Sequence, residues 1–515
     1  MPTKARRKFR LCFCRLFYLS KSRFWQKIFR TEAKSFRRGV FMFDVAVIGA
    51  GVVGGFCARE LMKYRLSVVI LEGADDVAAG ASRANSGIVH AGFDAKEGSL
   101  KAKFNVLGNR MMPKVCEELG VGYKNNGSIV VAFGKEQEKT LSELKERGEI
   151  NGVEGLKIVD GGHARKLEPN LSEEVTAALI APTGGIVCPF TLNIAAVGNA
   201  MDNGAKLRCG FKVIAVQKEK EGYKLISENG EEVFAKYVIN CAGAGSEKVA
   251  NLFADTSFRI MDRKGEYILL DSSVKNYAHH TVFAVPTAAG KGVLVSPTTD
   301  GNILVGPTSV EEENYDTSVR VEGFAEIKDK ASKMMKSIPF FETITSFAGV
   351  RAYCDRHDFV IEESKTAENL FNVGGIESPG LTASPAIGKY VAEKVAEKLR
   401  AEKNEKFDPV RRVNHFKELS EAEKNKVIAK HPEYGKIVCR CENVTLGEIL
   451  ESLRANPPAK TIDGIKLRTR AGMGRCQSGF CQPHVFNILM KEYGYRADEV
   501  TKKGGKSYII VGGEL

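Results

Sequence analysis

The sequence contains no apolar run long enough to cross a bilayer. A spanning helix needs roughly 18–20 consecutive apolar residues, and no stretch of the 515-residue chain approaches that length. The chain also lacks the continuous apolar segment and the small-residue cleavage site of a secretory signal. These absences argue against an integral membrane protein and, in so large a chain, against a disulfide framework.

The excess of positive charge is confined almost entirely to the first 41 residues. The whole chain has a formal net charge of +13. Residues 1–41 contain thirteen Lys or Arg and one acid, Glu32, so residues 42–515 have a net charge of only +1. A nearly neutral body argues against a nucleic-acid-binding protein, which needs an extended basic surface.

The basic N-terminal extension, residues 1–41, has three explanations that its composition leaves open. An acid-poor, Arg-rich leader is typical of a mitochondrial transit peptide, and a basic amphipathic segment is typical of a helix on a membrane surface. An over-extended gene start is the third, because Met42 directly precedes an apolar strand. We expect a cytoplasmic protein, with peripheral membrane association or a mitochondrial location as alternatives.

A strand, a glycine turn, a helix and a second strand follow one another after Met42, and a chain of this length predicts two to four domains. Gly49, Gly51 and Gly54 fit the pattern G-x-G-x-x-G. The first glycine allows a tight turn, the second lets a pyrophosphate approach, and the third lets the helix pack closely on the strand. Glu72 ends the second strand, where an acid accepts a hydrogen bond from a ribose hydroxyl. These features in register predict a dinucleotide site.

The segments that follow favour a flavin over a nicotinamide. Residues 80–104 read GASRANSGIVHAGFDAKEGSLKAKF, a polar, glycine-broken loop in place of a second βαβ helix. Residues 237–246 and 369–395 are apolar strands that run into small-residue turns, and the second turn enters a helix. The N-terminus of such a helix directs amide groups toward the pyrimidine oxygens of a flavin ring.

From Phe43 to about Arg400 the chain resembles the FAD-dependent oxidoreductases of the D-amino-acid-oxidase-like superfamily. Besides the glycine motif, the resemblance rests on NSGxxHxG (85–92), INCAG (239–243), AGVR (348–351) and GG…SPGLT (374–382). It implies an α/β fold with a discontinuous Rossmann-like FAD-binding domain and an inserted antiparallel-sheet substrate domain. The implied FAD-binding segments are 42–96, 188–250 and 350–400, and the implied substrate segments are 97–187 and 251–349. The segments GEYILLD, GVLVSPT and GNILVGPT would supply the inserted sheet.

The resemblance also implies which residues contact FAD. They lie in these motifs, at the end of the second strand and in the segment before Asn85. They are Gly49, Gly51, Gly54, Glu72, Ser82, Asn85, Ser86, Gly87, Ala242, Gly243, Gly375, Pro379, Gly380, Leu381 and Thr382.

Two residues are predicted to act on a small anionic hydroxy substrate. Arg351 ends an apolar strand, and its guanidinium can bind a carboxylate or phosphate bidentately. The resemblance makes it the anion anchor, with a surface ion pair as the alternative. His90 follows the loop that passes the flavin, where an imidazole accepts the alcohol proton while hydride leaves to N5. A structural histidine is the alternative, and His279 and His280 are further candidates for the base.

Four of the twelve cysteines crowd into the last 80 residues as two close pairs. Cys439 and Cys441 are spaced C-x-C, and Cys476 and Cys481 are spaced C-x4-C in a glycine-rich bend. Glycines let backbone amides approach thiolate sulfur, as in iron–sulfur sites. Zinc is the generic competitor, but its usual C-x2–4-C spacing does not match C-x-C. The pattern C-x-C…G-M-G-x-C-Q-x3-C resembles the bacterioferritin-associated-ferredoxin-like [2Fe-2S] domain, which implies that the four cysteines bind such a cluster.

This second resemblance implies a small, α-rich [2Fe-2S] domain at residues 437–491. A charged linker, 401–436, would precede it and a C-terminal tail, 492–515, would follow. FAD accepts two electrons as hydride, whereas a [2Fe-2S] centre passes one at a time. The combination predicts electron delivery to a partner subunit or a membrane quinone.

Two families within the superfamily share further segments with the chain. NSGIVHAGFDAKEGSLKAKF and GEYILL resemble L-2-hydroxyglutarate dehydrogenases, whereas ILVGPTS and the C-terminal module resemble the A subunits of anaerobic glycerol-3-phosphate dehydrogenases. Both families oxidise a secondary alcohol on a small anion. We expect oxidation of sn-glycerol 3-phosphate to dihydroxyacetone phosphate. An L-2-hydroxyglutarate-type dehydrogenase and a non-catalytic flavin and iron–sulfur redox carrier are the alternatives.

Overall fold

The computed structural model of the protein describes residues 41–286, 292–413 and 415–511. The strands in these ranges are, in chain order, β1 (Met42–Ile48), β2 (Val68–Leu71), β3 (Ile88–Val89), β4 (Tyr123–Lys124), β5 (Ser128–Ala132), β6 (Lys157–Asp160), β7 (Ala177–Ala181), β8 (Gly185–Val187), β9 (Lys206–Arg208), β10 (Val213–Glu219), β11 (Gly222–Ser227), β12 (Glu232–Asn240), β13 (Ile260–Leu270), β14 (Thr281–Ala284), β15 (Leu294–Pro297), β16 (Ile303–Gly306), β17 (Val310–Glu312), β18 (Thr343–Cys354), β19 (Val360–Glu363), β20 (Leu370–Gly374), β21 (Ile437–Cys439) and β22 (Val444–Thr445). The α-helices are α1 (Val52–Leu61), α2 (Leu100–Leu119), α3 (Lys135–Ile150), α4 (Gly161–Leu167), α5 (Pro189–Asp202), α6 (Ser246–Leu252), α7 (Val321–Met334), α8 (Gly380–Leu399), α9 (Glu421–Lys430), α10 (Leu446–Ser452), α11 (Ile462–Thr469) and α12 (Gln482–Tyr493).

The first sheet is the predicted dinucleotide-binding layer. Its strands are ordered β10-β11-β12-β1-β2-β9, with β20 beside β12 and β19 beside β20. The pairs β1–β2, β2–β9 and β12–β20 are parallel. β2 is apolar and buried throughout, as expected for a parallel strand covered on both faces. Because its strands come from three separate stretches of chain, the layer is discontinuous, and the predicted fold class is confirmed.

The second sheet has the order β17-β13-β16-β15-β14-β5-β7-β6, and β18 pairs with β13. Its strand pairs are antiparallel except for β14–β5, which is parallel. The long pair β13–β18 places Arg263 directly opposite Arg351. Side chains opposite each other on neighbouring strands share a face, so this register brings two arginines to the same side of the sheet.

Helix α1 packs on β2 of the first sheet and against α5 and α8, and α2 also packs on α8. The α2 segment lies within the predicted substrate segment 97–187, yet it covers the dinucleotide-binding layer. The predicted domain boundaries stay predictions. From Phe43 onward the chain forms one compact unit.

The C-terminal module contains β21, β22 and α10–α12 around an apolar core that includes Ile449 and Leu489. The predicted tail, 492–515, is packed where it is described, because Val500 is buried in this core and Ile509 packs against it. The predicted linker, 401–436, is partly ordered as α9, whose N-terminus carries a complete capping box. None of the described helices is long and apolar enough to cross a membrane. Residues 1–40 of the basic extension lie outside the described residues.

Candidate functional site

A cavity of about 860 Å³ is lined by residues of both sheets. This volume falls within the roughly 300–1,000 Å³ of typical ligand sites. The predicted catalytic residues His90 and Arg351 both line it. The predicted FAD-contacting residues that line it are Gly49, Gly51, Glu72, Ser82, Asn85, Ser86, Ala242, Gly243, Pro379, Gly380 and Leu381.

Four predicted contacts are not among the residues that line the cavity, namely Gly54, Gly87, Gly375 and Thr382. A Cβ on Gly54 would lie 2.0 Å from the carbonyl oxygen of Gly49, so the helix approaches the turn as closely as its backbone allows. Gly87 has φ +66°, and a Cβ there would lie 2.6 Å from the Val187 oxygen. These glycines shape the cavity through backbone packing.

The glycine turn before α1 is held by two side chains from the loop after β2. Glu72 Oε2 accepts the Ala50 N–H at 2.7 Å, and Ser82 Oγ accepts the Val52 N–H at 2.9 Å. Burial raises the pKa of Glu72, and backbone hydrogen bonds from Ala74 and Ala50 oppose that rise. Each carboxylate oxygen has two acceptor sites, so Glu72 retains capacity for a ribose hydroxyl.

Arg351 brings a positive charge to the other end of the cavity. Its Nη2 donates to the carbonyl oxygens of Thr308 at 3.0 Å and Lys264 at 3.3 Å, and its Nε donates to that of Arg263 at 3.4 Å. These neutral oxygens leave the guanidinium without an ion-pair partner among the described residues. An uncompensated guanidinium in a ligand cavity is suited to bind an anion.

Arg263 is a second cavity-lining arginine, and it was not among the residues predicted from the sequence. Its Cζ lies 4.0 Å from the centre of the Tyr353 ring, a cation–π contact that fixes its direction. Lys101 and Glu377 form a 2.8 Å ion pair in the same region, and Glu377 lines the cavity. No local motif identifies these residues, because the β13–β18 register and the α2 packing bring them together.

His90 is held at the cavity wall through its backbone. Its N–H donates to Thr382 Oγ1 at 2.9 Å, and its carbonyl oxygen accepts Asn105 Nδ2 at 2.7 Å and Asn109 Nδ2 at 3.1 Å. The ring Nε2 lies 3.3 Å from Ser378 Oγ, a contact between residues 288 positions apart that was not predicted from the sequence. The imidazole is therefore placed to exchange a proton inside the cavity.

The alternative bases His279 and His280 are not among the residues that line this cavity. Both backbone N–H groups donate to Oε2 of the buried Glu168 at 2.9 Å, and His280 Nδ1 lies 3.3 Å from the same oxygen. The two histidines are thus structural partners of a buried carboxylate, which leaves His90 as the candidate base.

The four predicted cluster ligands meet as two pairs, each joining one cysteine from each motif. Cys441 Sγ lies 3.5 Å from Cys476 Sγ, and the Cys481 thiol is hydrogen-bonded to Cys439. Among the described residues, no three or more His, Cys, Asp or Glu side chains converge as they would on one metal ion. Two pairs of thiolates suit a cluster with two irons better than a single four-coordinate ion.

The loop around Cys476 supplies amide donors to sulfur. Burial acts to raise the pKa of Cys476, but hydrogen bonds from the Phe480, Ser478 and Gly479 amides contribute to a net lowering. Gly474 allows the two halves of the site to meet, since a Cβ there would lie 2.5 Å from Cys441 Cβ. Thiolate sulfurs with amide donors fit a [2Fe-2S] cluster.

Comparison with known proteins decides the family. Residues 44–394 match the family model described as FAD dependent oxidoreductase. The chain belongs to this family. Residues 437–491 match the BFD-like [2Fe-2S] binding domain. The protein is therefore an FAD-dependent oxidoreductase with a C-terminal [2Fe-2S] domain, and both predicted cofactors are confirmed.

Similar proteins include dehydrogenases and oxidases of glycerol 3-phosphate and dehydrogenases of L-2-hydroxyglutarate. The chain is 44% identical to a glycerol 3-phosphate dehydrogenase of Caloramator mitchellensis, over 92% of this chain and 98% of that protein. It is 34% identical to a glycerol 3-phosphate oxidase of Mycoplasma genitalium, over 70% and 96%. It is 30% identical to a mitochondrial L-2-hydroxyglutarate dehydrogenase of Pongo abelii, over 69% and 88%.

Solved structures share the fold. The dithionite-reduced, FAD-bound L-alpha-glycerophosphate oxidase of Mycoplasma pneumoniae superposes with a TM-score of 0.69 at 28% identity, over 73% of this chain and 100% of that chain. The FAD complex of a Bacillus halodurans glycerol-3-phosphate dehydrogenase gives a TM-score of 0.61 at 15% identity, over 92% and 94%. At that lower identity, the second match supports the fold alone.

Proposed function

We propose that the protein oxidises sn-glycerol 3-phosphate to dihydroxyacetone phosphate and delivers the electrons through its [2Fe-2S] domain to a protein or quinone acceptor. The observation that carries this proposal is the 44% identity with a glycerol 3-phosphate dehydrogenase along nearly the whole of both chains. The cavity agrees with it, because Arg351 offers a guanidinium that forms no ion pair within the described ranges, and His90 offers an imidazole in the same enclosure.

Arg351 binds the anionic group of the substrate in this mechanism. Its contacts with the Thr308 and Lys264 carbonyls hold the planar group in one orientation. Gly265 leaves room for it, since a Cβ there would lie 3.2 Å from Arg351 Nη2. A fixed guanidinium holds the carbinol carbon at a defined place in the cavity, which removes much of the entropic barrier to reaction.

His90 takes the proton of the substrate hydroxyl. The Thr382, Asn105 and Asn109 hydrogen bonds fix its backbone, and Ser378 Oγ lies within hydrogen-bonding reach of Nε2. When bound, FAD supplies the acceptor for the hydride that leaves the carbinol carbon. Loss of both proton and hydride converts the alcohol to a ketone.

The second sheet gives the cavity apolar walls near Arg351. Tyr267, Phe283 and Leu294 line it and are almost completely buried. Burial raises the pKa of Tyr267, with Arg351 opposing that shift, so its phenol stays neutral at physiological pH. Apolar, neutral walls exclude water and strengthen the attraction between Arg351 and an anion.

The cysteine pairs Cys439–Cys481 and Cys441–Cys476 would hold the [2Fe-2S] cluster, which supplies one-electron transfer. Cys441 is exposed, whereas Cys439 and Cys481 are buried. The exposed thiolate gives an external acceptor access to that side of the site. The identity of the acceptor, the location in the cell and any membrane association stay predictions.

Anaerobic reduction of the purified flavoprotein tests the substrate. We expect sn-glycerol 3-phosphate to bleach the flavin absorbance, and glycerol, which lacks the anion, to bleach it far more slowly. L-2-hydroxyglutarate belongs in the same panel because of the relatives at about 30% identity. Bleaching by L-2-hydroxyglutarate but not by sn-glycerol 3-phosphate would assign the protein to the alternative activity. Bleaching by none of the panel would favour the redox carrier.

A further inference from the structure

The [2Fe-2S] module contacts the loop that follows β2. This loop, residues 72–83, is called the cofactor loop below. Arg468 of α11 reaches Asp76 in the loop with two hydrogen bonds of 2.8 Å, one from each terminal nitrogen to each carboxylate oxygen. The Arg468 side chain is only 6% exposed. A bidentate pair with so little exposure is stronger and more directional than a surface ion pair.

Arg468 is itself held rigidly by the module. Its Nε donates to the Pro457 carbonyl at 2.8 Å, and its Nη1 also donates to the Gly464 carbonyl at 3.0 Å. Helix α11 leaves space for Asp76, because a Cβ on Gly464 would lie 3.1 Å from Asp76 Oδ2. The position of Asp76 is therefore set by the backbone of the module.

Further contacts hold the cofactor loop on either side of Asp76. The Gly505 N–H donates to Asp75 Oδ2. Nη1 of Arg83 lies 4.0 Å from Oδ2 of Asp463 in α11. Leu467 of α11 shares an apolar cluster with Val77 of the loop. The module thus contacts the cofactor loop at several points along its length.

The cofactor loop also builds the FAD cavity. Glu72 and Ser82, at or near its two ends, accept the amides of the glycine turn, and Gly73, Ala74 and residues 79–82 line the cavity. One loop therefore contacts the cavity through some of its residues and the module through others.

We propose that Arg468 is a positioning residue for FAD, through which the [2Fe-2S] module raises the affinity of the flavin site. A loop already fixed in its binding conformation loses less conformational freedom when FAD binds. By linkage, bound FAD strengthens the docking of the module to the same extent. The proposal rests on the family's FAD dependence and is independent of which substrate is oxidised.

The expected effect is a loss of affinity and not of binding altogether. The FAD-bound Mycoplasma pneumoniae oxidase aligns along its whole length with only 73% of this chain. A shorter protein of this fold therefore holds FAD, and the contribution of Arg468 adds to an existing site.

The test is a titration of the full-length apoprotein with FAD, in which the quenching of flavin fluorescence measures binding. We expect Arg468→Ala and Asp76→Ala each to raise the Kd for FAD about tenfold, equivalent to about 1.4 kcal/mol. Because the two residues act as one pair, the double variant should bind FAD no more weakly than either single variant. Glu342→Ala is the matched control. Glu342 lies directly before β18, and its Oε2 is 2.6 Å from Nη2 of Arg475 in the module, so this change removes a contact of the module that does not involve the cofactor loop. Its Kd should equal that of the wild type.

Iron and acid-labile sulfide are measured in each variant, so that damage to the module is recognised. Asp76 lies outside the module, and Asp76→Ala decides the outcome if Arg468→Ala loses its cluster or fails to fold. An unchanged Kd in Asp76→Ala, or additive effects in the double variant, would overturn the proposal. Bleaching by sn-glycerol 3-phosphate at saturating FAD is scored separately, so failure of the proposed substrate leaves the FAD result interpretable.

Discussion

Replacing Arg351 by lysine keeps the positive charge of the anion anchor but removes its planar fork. The native guanidinium uses Nε and both Nη2 donors on the Arg263, Lys264 and Thr308 carbonyls, which leaves the two Nη1 donors for the substrate anion. A lysine ammonium offers three donors from a flexible stem and has no bidentate geometry. We therefore expect Arg351→Lys to bind the substrate anion less well and in several orientations.

The magnitude follows from the hydrogen bonds at stake. A hydrogen bond to a charged group contributes about 1.5–3 kcal/mol, so loss of one of the two Nη1 hydrogen bonds to the substrate anion should lower kcat/KM roughly 10- to 100-fold. FAD content should change little, because the partners of Arg351 belong to β13 and the segment after β16 and not to the glycine turn. Steady-state kinetics with sn-glycerol 3-phosphate and the FAD-to-protein ratio measure the two effects.

Arg356→Lys is the matched control, because Arg356 forms a 2.8 Å ion pair with Glu362 and is not among the cavity-lining residues. Its kinetics should match those of the wild type. Wild-type kinetics in Arg351→Lys would remove Arg351 from the substrate site. A loss of FAD in proportion to the loss of rate would instead assign Arg351 to the cofactor.

Three further changes test the other parts of the protein. Gly51→Asp should expel FAD, because the new carboxylate would occupy the place expected for the pyrophosphate. Even a Cβ at this position would lie 3.2 Å from Ser82 Oγ. Full flavin content in this variant would refute the predicted FAD site. Cys476→Ser should abolish the cluster, since a hydroxyl is a poor ligand for iron. Anaerobic wild-type protein should contain about two irons and two sulfides per chain, whereas the variant should still be bleached by substrate at saturating FAD but should not reduce an acceptor served by the cluster. Deleting residues 1–41 should leave flavin and iron content intact, because β1 begins at Met42. A truncated protein that does not fold would show that the extension is needed for the fold.

The sequence predicted those parts of the site that depend on local spacing. Gly49, Gly51 and Glu72 lie within one βαβ unit, so their relation is set by helix and strand geometry. The C-x-C and C-x4-C pairs were recognisable for the same reason. Gly49 and Glu72 are within about 25 positions of each other, and the cysteines form two close pairs of fixed spacing.

Residues brought together by tertiary packing were not predictable in this way. Arg263 lines the cavity only because β13 and β18 pair in one register, and a shift by one residue would turn it to the other face. Asp76 and Arg468 are 392 positions apart, and nothing near either residue indicates the contact. His280 was a further candidate for the base beside the predicted His90, and only the fold shows that it is paired with the buried Glu168.

The interface between the module and the cofactor loop also changes how the domains are understood. A C-terminal module joined by a charged linker suggests an independent unit, yet Arg468, Leu467 and Gly505 all contact the 72–83 segment or share its apolar core. Electron transfer from the flavin to the cluster would then occur within one packed unit, without a search by a tethered domain.

Electron paramagnetic resonance of anaerobic protein mixed with sn-glycerol 3-phosphate tests the central claim most directly. The substrate should bleach the flavin and, in the same sample, produce the signal of a reduced [2Fe-2S] cluster. Cys476→Ser should show the bleaching without the signal. A wild-type cluster that stays oxidised while the flavin is fully reduced would contradict electron transfer through the module, and a flavin that sn-glycerol 3-phosphate does not reduce would contradict the proposed activity.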